Sequence, residues 1–323
     1  MMHSKIQLRG NNLSYMSGSK INAGLNLSAT KLQVVEIAGS QEQISLDNLN
    51  EAKFTQPLNF KSDRETIILS QLQAAYDEMR KNQPLQSDTL SFSLPLDLFY
   101  ISQLPYDNTL LQKDLIEEFR WEYSIMFPFV KNQDLILQYL EVEKNMIFTK
   151  NTAIVYGIER KYLALLEKFC EQNNLKLGFI DNVHLSAERA LVLSNSFVNA
   201  GLRLSLYISE SIMSMIFSLD GRPISQKVFS INSYDDVRQN ILDEISLSKS
   251  KNIIKGLIQA SYITGEKIPD SVVNSLNEET GLNFIVFNPF DKLNANPLLK
   301  ENPFYCHSYN SFSSAAGIAY RIG

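Results

Sequence analysis

Apolar and polar positions alternate with a period of two in four closely spaced runs near the start of the chain: Ala23 to Leu27, Leu32 to Ala38, Gln43 to Leu46 and Ala52 to Leu58. That period predicts short strands, and the close spacing predicts a meander. The period then changes. From Arg64 to Lys81, Ile67, Ile68, Leu72, Ala75, Tyr76 and Met79 make one apolar helical face, with Glu65, Asp77, Glu78 and Lys81 on the other. Before the meander, Met1 to Lys20 is rich in Ser, Asn and Gly without a period and reads as a flexible leader, 1–20.

After the helix, Thr89 to Leu94 reads as a strand ending at Pro95. A module with its own pattern follows: a helix over Leu110 to Met126 carrying Leu111, Leu115, Phe119, Trp121 and Tyr123, then strands over Leu135 to Val142, Met146 to Thr149 and Ala153 to Ile158. This is an inserted α+β subdomain at about 86–158. The chain then returns with a helix (Lys161 to Asn173), a strand (Leu175 to Ile180) and a helix (Leu185 to Ser196). A second meander starts at Arg203 and runs Leu204 to Ser209, Met213 to Leu219 and Pro223 to Ile231, with Asp220-Gly221 as a tight hairpin turn. Helix (Tyr234 to Ser246), strand (Leu257 to Thr264), helix (Asp270 to Glu279) and strand (Phe284 to Phe287) complete it. Two halves of similar order imply an internal duplication, with lobe I over 21–200, lobe II over 201–310 and a small-residue helix in 311–323 packing back on the core.

Composition narrows the function without identifying it. At 323 residues, with 44% hydrophobic and 20% charged residues, the chain has apolar mass for two lobes. The net charge of −5 comes from interspersed acids and bases, which excludes a nucleic-acid groove and a polybasic membrane anchor. Cys170 and Cys306 stand far apart, outside any metal spacing, and read as buried reduced thiols. The start lacks the apolar run of a secretory signal, and Leu202 to Leu219 is broken by Arg203, Ser205, Ser209, Glu210 and Ser211, so no direct membrane insertion is expected. A cytoplasmic protein is the expectation.

Four segments, in order, carry a family resemblance. Ala23 to Ile37 (AGLNLSATKLQVVEI) resembles an opening strand and phosphate loop, and Ser91 to Pro105 followed by Phe119-Arg120-Trp121-Glu122 is similar to the start of an inserted subdomain. Tyr262 to Phe290, with Ile263-Thr264-Gly265 and Asn288-Pro289-Phe290, resembles an adenosine-side segment, and Ala315 to Arg321 looks like a closing "GLALR" helix. The family they resemble is the PilM branch of the actin/FtsA-like ATPases, found in type IV pilus and type II secretion assembly. The resemblance implies an α/β, actin-like (ribonuclease H-like) fold of duplicated βββαβα lobes, with the inserted subdomain in lobe I. Only about thirty residues separate Ile231 from Tyr262, so subdomain IIB is expected to be reduced to one helix or absent.

The same resemblance marks where nucleotide chemistry has gone. An actin-like ATPase uses Asp-x-Gly in each lobe's first hairpin, the carboxylate near the metal and the glycine giving the phosphate room. Here the first site aligns with Asn26 and Ser28, a lysine further along aligns with Gln33, and the second site aligns with Tyr207 and Ser209. On the adenosine side Gly265 is followed by Glu266 instead of a second glycine. Lys31 lies on the face of Gln33 but roughly 7 Å along the strand, and it reads as a solvated hairpin lysine, with Glu210 an exposed turn residue. No catalytic, metal or cofactor site is expected at these vestigial positions.

Other constellations are thin. His3, His184 and His307 are scattered; His184 and Glu188 have i, i+4 spacing that polar residues at a helix start explain; Glu141 and Glu143, near Asp134, read as a solvated strand face. Trp121 taken singly reads as a core aromatic. The resemblance therefore implies a pseudo-ATPase scaffold recruited to the inner face of the cell membrane by the cytoplasmic tail of a PilN-like bitopic protein, with a secretion ATPase or platform proteins as further partners. The groove for that tail is expected at the inserted module and the hairpin of Ala23 to Ile37. The alternative is a working ATPase or nucleotide sensor taking Mg·ATP through Thr30, Lys31 and Glu210.

Overall fold

In a computed structural model that describes residues 20–40, 43–194, 200–246, 256–266 and 268–321, the N-terminal alternation becomes three antiparallel strands: β1 (Lys20–Leu27), β2 (Lys31–Ser40) and β3 (Gln43–Lys53). The runs at 43–46 and 52–58 are not two strands; β3 passes through the polar stretch between them and ends at Lys53. Asn48 and Asn50 are tolerated inside it because their amide nitrogens find partners, although Asn48 Oδ1 stays buried without one. Asn48 Nδ2 donates to Glu36 Oε2 at 3.0 Å and Asn50 Nδ2 to the Met79 carbonyl at 3.3 Å. Asp47 is skipped in the pairing, where the register shifts.

The chain divides into two compact units. In the first, β1 continues sideways into β4 (Thr89–Leu94) and β8 (Lys176–Asn182), both parallel to their neighbours, and the short β14 (Asn294–Ala295) closes the other edge, giving the order β14-β3-β2-β1-β4-β8. Helix α1 (Glu65–Asn82) buries Ile68, Leu69, Leu72, Ala75, Tyr76 and Met79, one face of a 3.6-residue period. Helix α3 (Arg160–Gln172) adds Phe169, edge-on to Tyr76 and Phe92 at 5.5 and 6.3 Å. Helix α4 (Val183–Ser194) starts where Asn182 Oδ1 accepts from the amides of His184 and Leu185, a side-chain cap. The closing helix, α9 (Ser313–Ala319), lies against β1 and α4, after α7 (Pro297–Lys300) and α8 (Pro303–His307). Small residues make this contact possible: a Cβ on Gly317 would overlap the Ser186 carbonyl, and one on Gly24 would overlap Ala315.

The second unit holds a sheet of the same connectivity. Strands β9 (Leu202–Ile208), β10 (Ile212–Leu219) and β11 (Arg222–Ser230) form the meander, and β12 (Ile258–Gly265) and β13 (Phe284–Val286) run parallel beside β9, giving β11-β10-β9-β12-β13. Matched strand for strand with β3-β2-β1-β4-β8, this is the duplication read from the sequence. Helices α5 (Tyr234–Ser246) and α6 (Asp270–Thr280) cover one face, with Val237, Ile241, Val273 and Leu276 packed on Leu204, Leu206, Met213 and Ile263. Among the described residues between β11 and β12, α5 is the principal element, as expected for a reduced subdomain IIB.

The inserted module begins at Phe99 rather than near 86, since β4 belongs to the first sheet. It comprises β5 (Phe99–Pro105), α2 (Gln112–Met126), β6 (Leu135–Val142) and β7 (Thr152–Glu159) in the order β5-β7-β6. The run 146–149 is a turn instead of a strand, because Asn145 Oδ1 accepts from both Ile147 and Phe148 amides. Although inserted in the first lobe by chain order, the module packs within the second unit. One face of its sheet takes Leu115, Phe119 and Tyr123 of α2. The module also meets β11: Tyr156 Oη donates to Gln226 Oε1 at 3.0 Å, Gln103 Nε2 donates to the Ile224 carbonyl at 2.9 Å, and Gln226 Nε2 in turn donates to Ser214 Oγ at 3.0 Å.

Candidate functional site

The first vestigial hairpin is a closed polar network. Asn26 and Gln33 face each other across β1 and β2, and both are buried, at 2% and 0% exposure. Asn26 Nδ2 donates to Gln33 Oε1 at 2.8 Å, while Asn26 Oδ1 accepts from Ser93 Oγ at 3.2 Å. Gln33 Nε2 spends its two protons on Glu51 Oε2 (2.9 Å) and Ser311 Oγ (3.0 Å). Glu51 is in turn ion-paired with Lys31 Nζ at 3.2 Å, and the lysine side chain is only 12% exposed. Lys31 is therefore not the solvated hairpin lysine expected from sequence; its charge is neutralised at close range inside the protein.

Ser28 changes the loop itself. Where a glycine would leave amides open to a ligand, the serine hydroxyl accepts from the amides of Thr30 and Lys31 at 3.2 and 3.1 Å. Its own amide donates to the Lys31 carbonyl at 3.0 Å. The turn is capped by its own side chain. In the second unit Ser209 shares the donating half of this arrangement: like Ser28, whose hydroxyl also reaches the Lys31 carbonyl at 3.2 Å, it directs its amide and hydroxyl to the carbonyl three residues on, that of Ile212, at 2.9 and 3.0 Å. Tyr207, at the aligned acidic position, is a buried aromatic on β9, and Glu210 is exposed on the turn. Neither serine repeat is announced by a motif; the shared chemistry emerges only when the two turns are built.

Gly265 has φ of +98°, and a side chain there would collide with the Ile208 carbonyl. Its glycine serves the close approach of β12 to β9. The next amide, Glu266, donates to that same Ile208 carbonyl at 2.8 Å. Asn26, Ser28 and Gln33 are thus brought together in the first unit, and Tyr207, Ser209, Gly265 and Glu266 gather at the ends of β9 and β12 in the second.

The remaining candidates resolve as structure. His184 is fully buried on α4, and burial holds its imidazole well down, at about 3, against an opposing pull from Glu188; the pair stands at the start of a helix, as its spacing suggested, and is buried there. Cys170 is buried, which pushes its thiol up to about 12, whereas Cys306 is exposed, contrary to the expectation for that residue. Asp181 holds two guanidinium groups, Arg189 at 2.8 Å and Arg321 at 2.6 Å, and Arg321 also stacks on Phe179 at 4.4 Å. That clasp gives the final arginine of the "GLALR"-like segment a physical role which its sequence position alone does not disclose. Trp121 is 60% exposed and is not a core residue. Among the described residues there is no group of three or more His, Cys, Asp or Glu arranged for a metal, and no helix long and apolar enough to cross a membrane.

No protein-family model matches the chain, and no curated protein matches it. Solved structures do. A chain from a PilM-PilN type IV pilus biogenesis complex superposes with a TM-score of 0.69, covering 92% of this chain and 97% of that one at 16% identity. A Bacteroides thetaiotaomicron protein with an actin-like ATPase fold and unknown function gives a TM-score of 0.53 at 12% identity, covering 86% and 95%. The chain has the actin-like ATPase fold, in a form similar to that of PilM.

Proposed function

We propose that this chain is a cytoplasmic, non-hydrolysing actin-like scaffold of a type IV pilus or type II secretion-like assembly, and that it holds the cytoplasmic tail of a PilN-like bitopic membrane protein. The observation that carries the pseudo-ATPase half is the closed network of Asn26, Gln33, Glu51, Lys31, Ser93 and Ser311. A phosphate or a hydrated magnesium ion arriving there would compete with bonds already made in a buried setting, where each broken one costs about 1–3 kcal/mol. The Ser28 hydroxyl competes likewise for the loop amides. The scaffold half rests on the likeness to a chain solved in a PilM-PilN complex. An extended peptide held by backbone pairing and side-chain pockets is the physical form such an interaction takes.

Two titrations test the two halves. Calorimetric titration with Mg·ATP should show no saturation through the micromolar range; saturable micromolar binding overturns the pseudo-ATPase reading. Synthetic tails of the bitopic membrane proteins encoded beside this chain should bind it saturably. If none does, the scaffold reading fails even where the ATP result stands.

A further inference from the structure

Among the described residues, five of the six sheet edges are blunted against the addition of a further strand. Strands β14 and β13 have only two and three residues. Strand β8 opens on Lys176 and shifts register between Leu90 and Phe92, β11 carries Pro223 and is bolted to the module, and β5 ends in Pro105. Strand β6 has none of these devices. Its eight residues, LILQYLEV, pair with β7 from Leu135 to Val142 without a register shift. Between Ile136 and Val142 its backbone finds no partner outside β7 among the described residues. The N–H and C=O of every second residue there point outward, open to another strand.

The strand is complementary to itself. Leu135, Leu137 and Tyr139 lie under α2, with Tyr139 5.2 Å from Phe119, so the alternation puts the exposed Glu141 on the same face, beside Tyr106. In an antiparallel pair, directly opposed residues share a face. A two-fold axis at Gln138 therefore sets Ile136 against the partner's Leu140, Leu137 against the partner's Tyr139, and Leu135 against the partner's Glu141. Arg120 already stands at that last position, its Nη1 donating to the Leu135 carbonyl at 3.4 Å, so each Arg120 meets the partner's Glu141. Apolar pairs on both faces and two reciprocal ion pairs single out a copy of this chain over an unrelated strand. We infer that two copies of this chain join through β6, antiparallel about Gln138, fusing two three-stranded sheets into one of six. The inference does not depend on the tail-binding reading.

Sedimentation velocity over a concentration series measures the association of the full chain and its variants, with thermal melts confirming that each is folded. The wild type is expected to dimerise. Arg120→Glu or Glu141→Arg sets like charges together twice in a symmetric dimer, and each should weaken dimerisation by more than about tenfold. The double variant, which exchanges the two signs, should regain it, a recovery that mere loss of the Arg120 bond to Leu135 cannot produce. Hydrogen exchange over Ile136–Val142 should slow as the dimer fills. A wild-type chain that stays monomeric throughout overturns the inference, and so does a dimer that both single variants leave intact or that the double variant fails to restore. Exchange at β6 that slows in a monomer only when a membrane-protein tail is added overturns it too, and gives the edge to that peptide.

Discussion

Replacing Asn26 with aspartate puts back the acidic residue that a nucleotide-binding hairpin uses, and here it should damage the protein. Asn26 Nδ2 is the donor to Gln33 Oε1 at 2.8 Å; an ionised aspartate supplies no donor, so two acceptors would face each other at that distance in a site 2% exposed. Gln33 cannot turn its amide around without a second loss, because its Nε2 protons already serve Glu51 and Ser311. The introduced carboxyl would therefore be held protonated by burial, its folded-state pKa raised above the unfolded value of about 3.9. The penalty then follows from linkage. Below the unfolded pKa both states are protonated, the acid hydroxyl can replace the amide donor, and the cost is small. Above it the unfolded chain ionises while the folded one does not, so stability falls by about 1.4 kcal/mol per pH unit until the folded pKa is reached. A folded pKa near 6 makes the loss about 3 kcal/mol at neutral pH, or roughly 6–12 °C in Tm for a unit of this size. Urea melts of Asn26→Asp and the wild-type protein at pH 4.5 and pH 7.5 measure it. Equal stability at pH 7.5, above all with Mg·ATP binding gained, would show that the network is not closed and refute the reasoning.

Two further perturbations act elsewhere in the first unit. Arg321→Ala removes one of the two cations on buried Asp181 together with the Phe179 stack, and a loss of about 3 kcal/mol is expected in chemical denaturation; a loss below about 1 kcal/mol would mean that Arg189 suffices alone. His184 is held neutral, its folded pKa near 3 lying below the ordinary 6.5, so the stability contributed by its neutral form is complete above pH 6.5 and declines as pH falls toward 3, by about 1.4 kcal/mol per unit. His184→Gln should flatten the stability profile between pH 6 and pH 4 by about one proton, and an unchanged slope would place that proton on another group.

The fold was legible where periodicity was clean. Both meanders, the helical faces of α1 and α5, and the order of elements that makes the halves repeats follow from spacing alone, and the solved actin-like structures agree with that architecture. Legibility failed where a polar side chain finds a buried partner. Asn48 and Asn50 looked like a break in a strand that runs straight through them, and Lys31 looked solvated because its counter-charge, Glu51, comes from another strand. Trp121 misled in the opposite sense: an aromatic on an amphipathic helix is usually turned inward, yet Phe119 and Tyr123 already fill the core side of α2. The substitutions at Asn26, Ser28 and Gln33 were readable as losses. That they form a new structure among themselves, with Glu51, Ser93 and Ser311 drawn from three other segments, was not, since hydrogen-bond partners distant in sequence leave no spacing to read.

The bolts from Tyr156 and Gln103 into β11 also bear on mechanics. Any cargo gripping the three-stranded module pulls on a strand at the rim of a five-stranded sheet, and that strand is stitched along its whole length to β10. Force applied to the module would reach that row of backbone bonds as well as the covalent chain on either side of the module, so no single side-chain contact has to bear it alone.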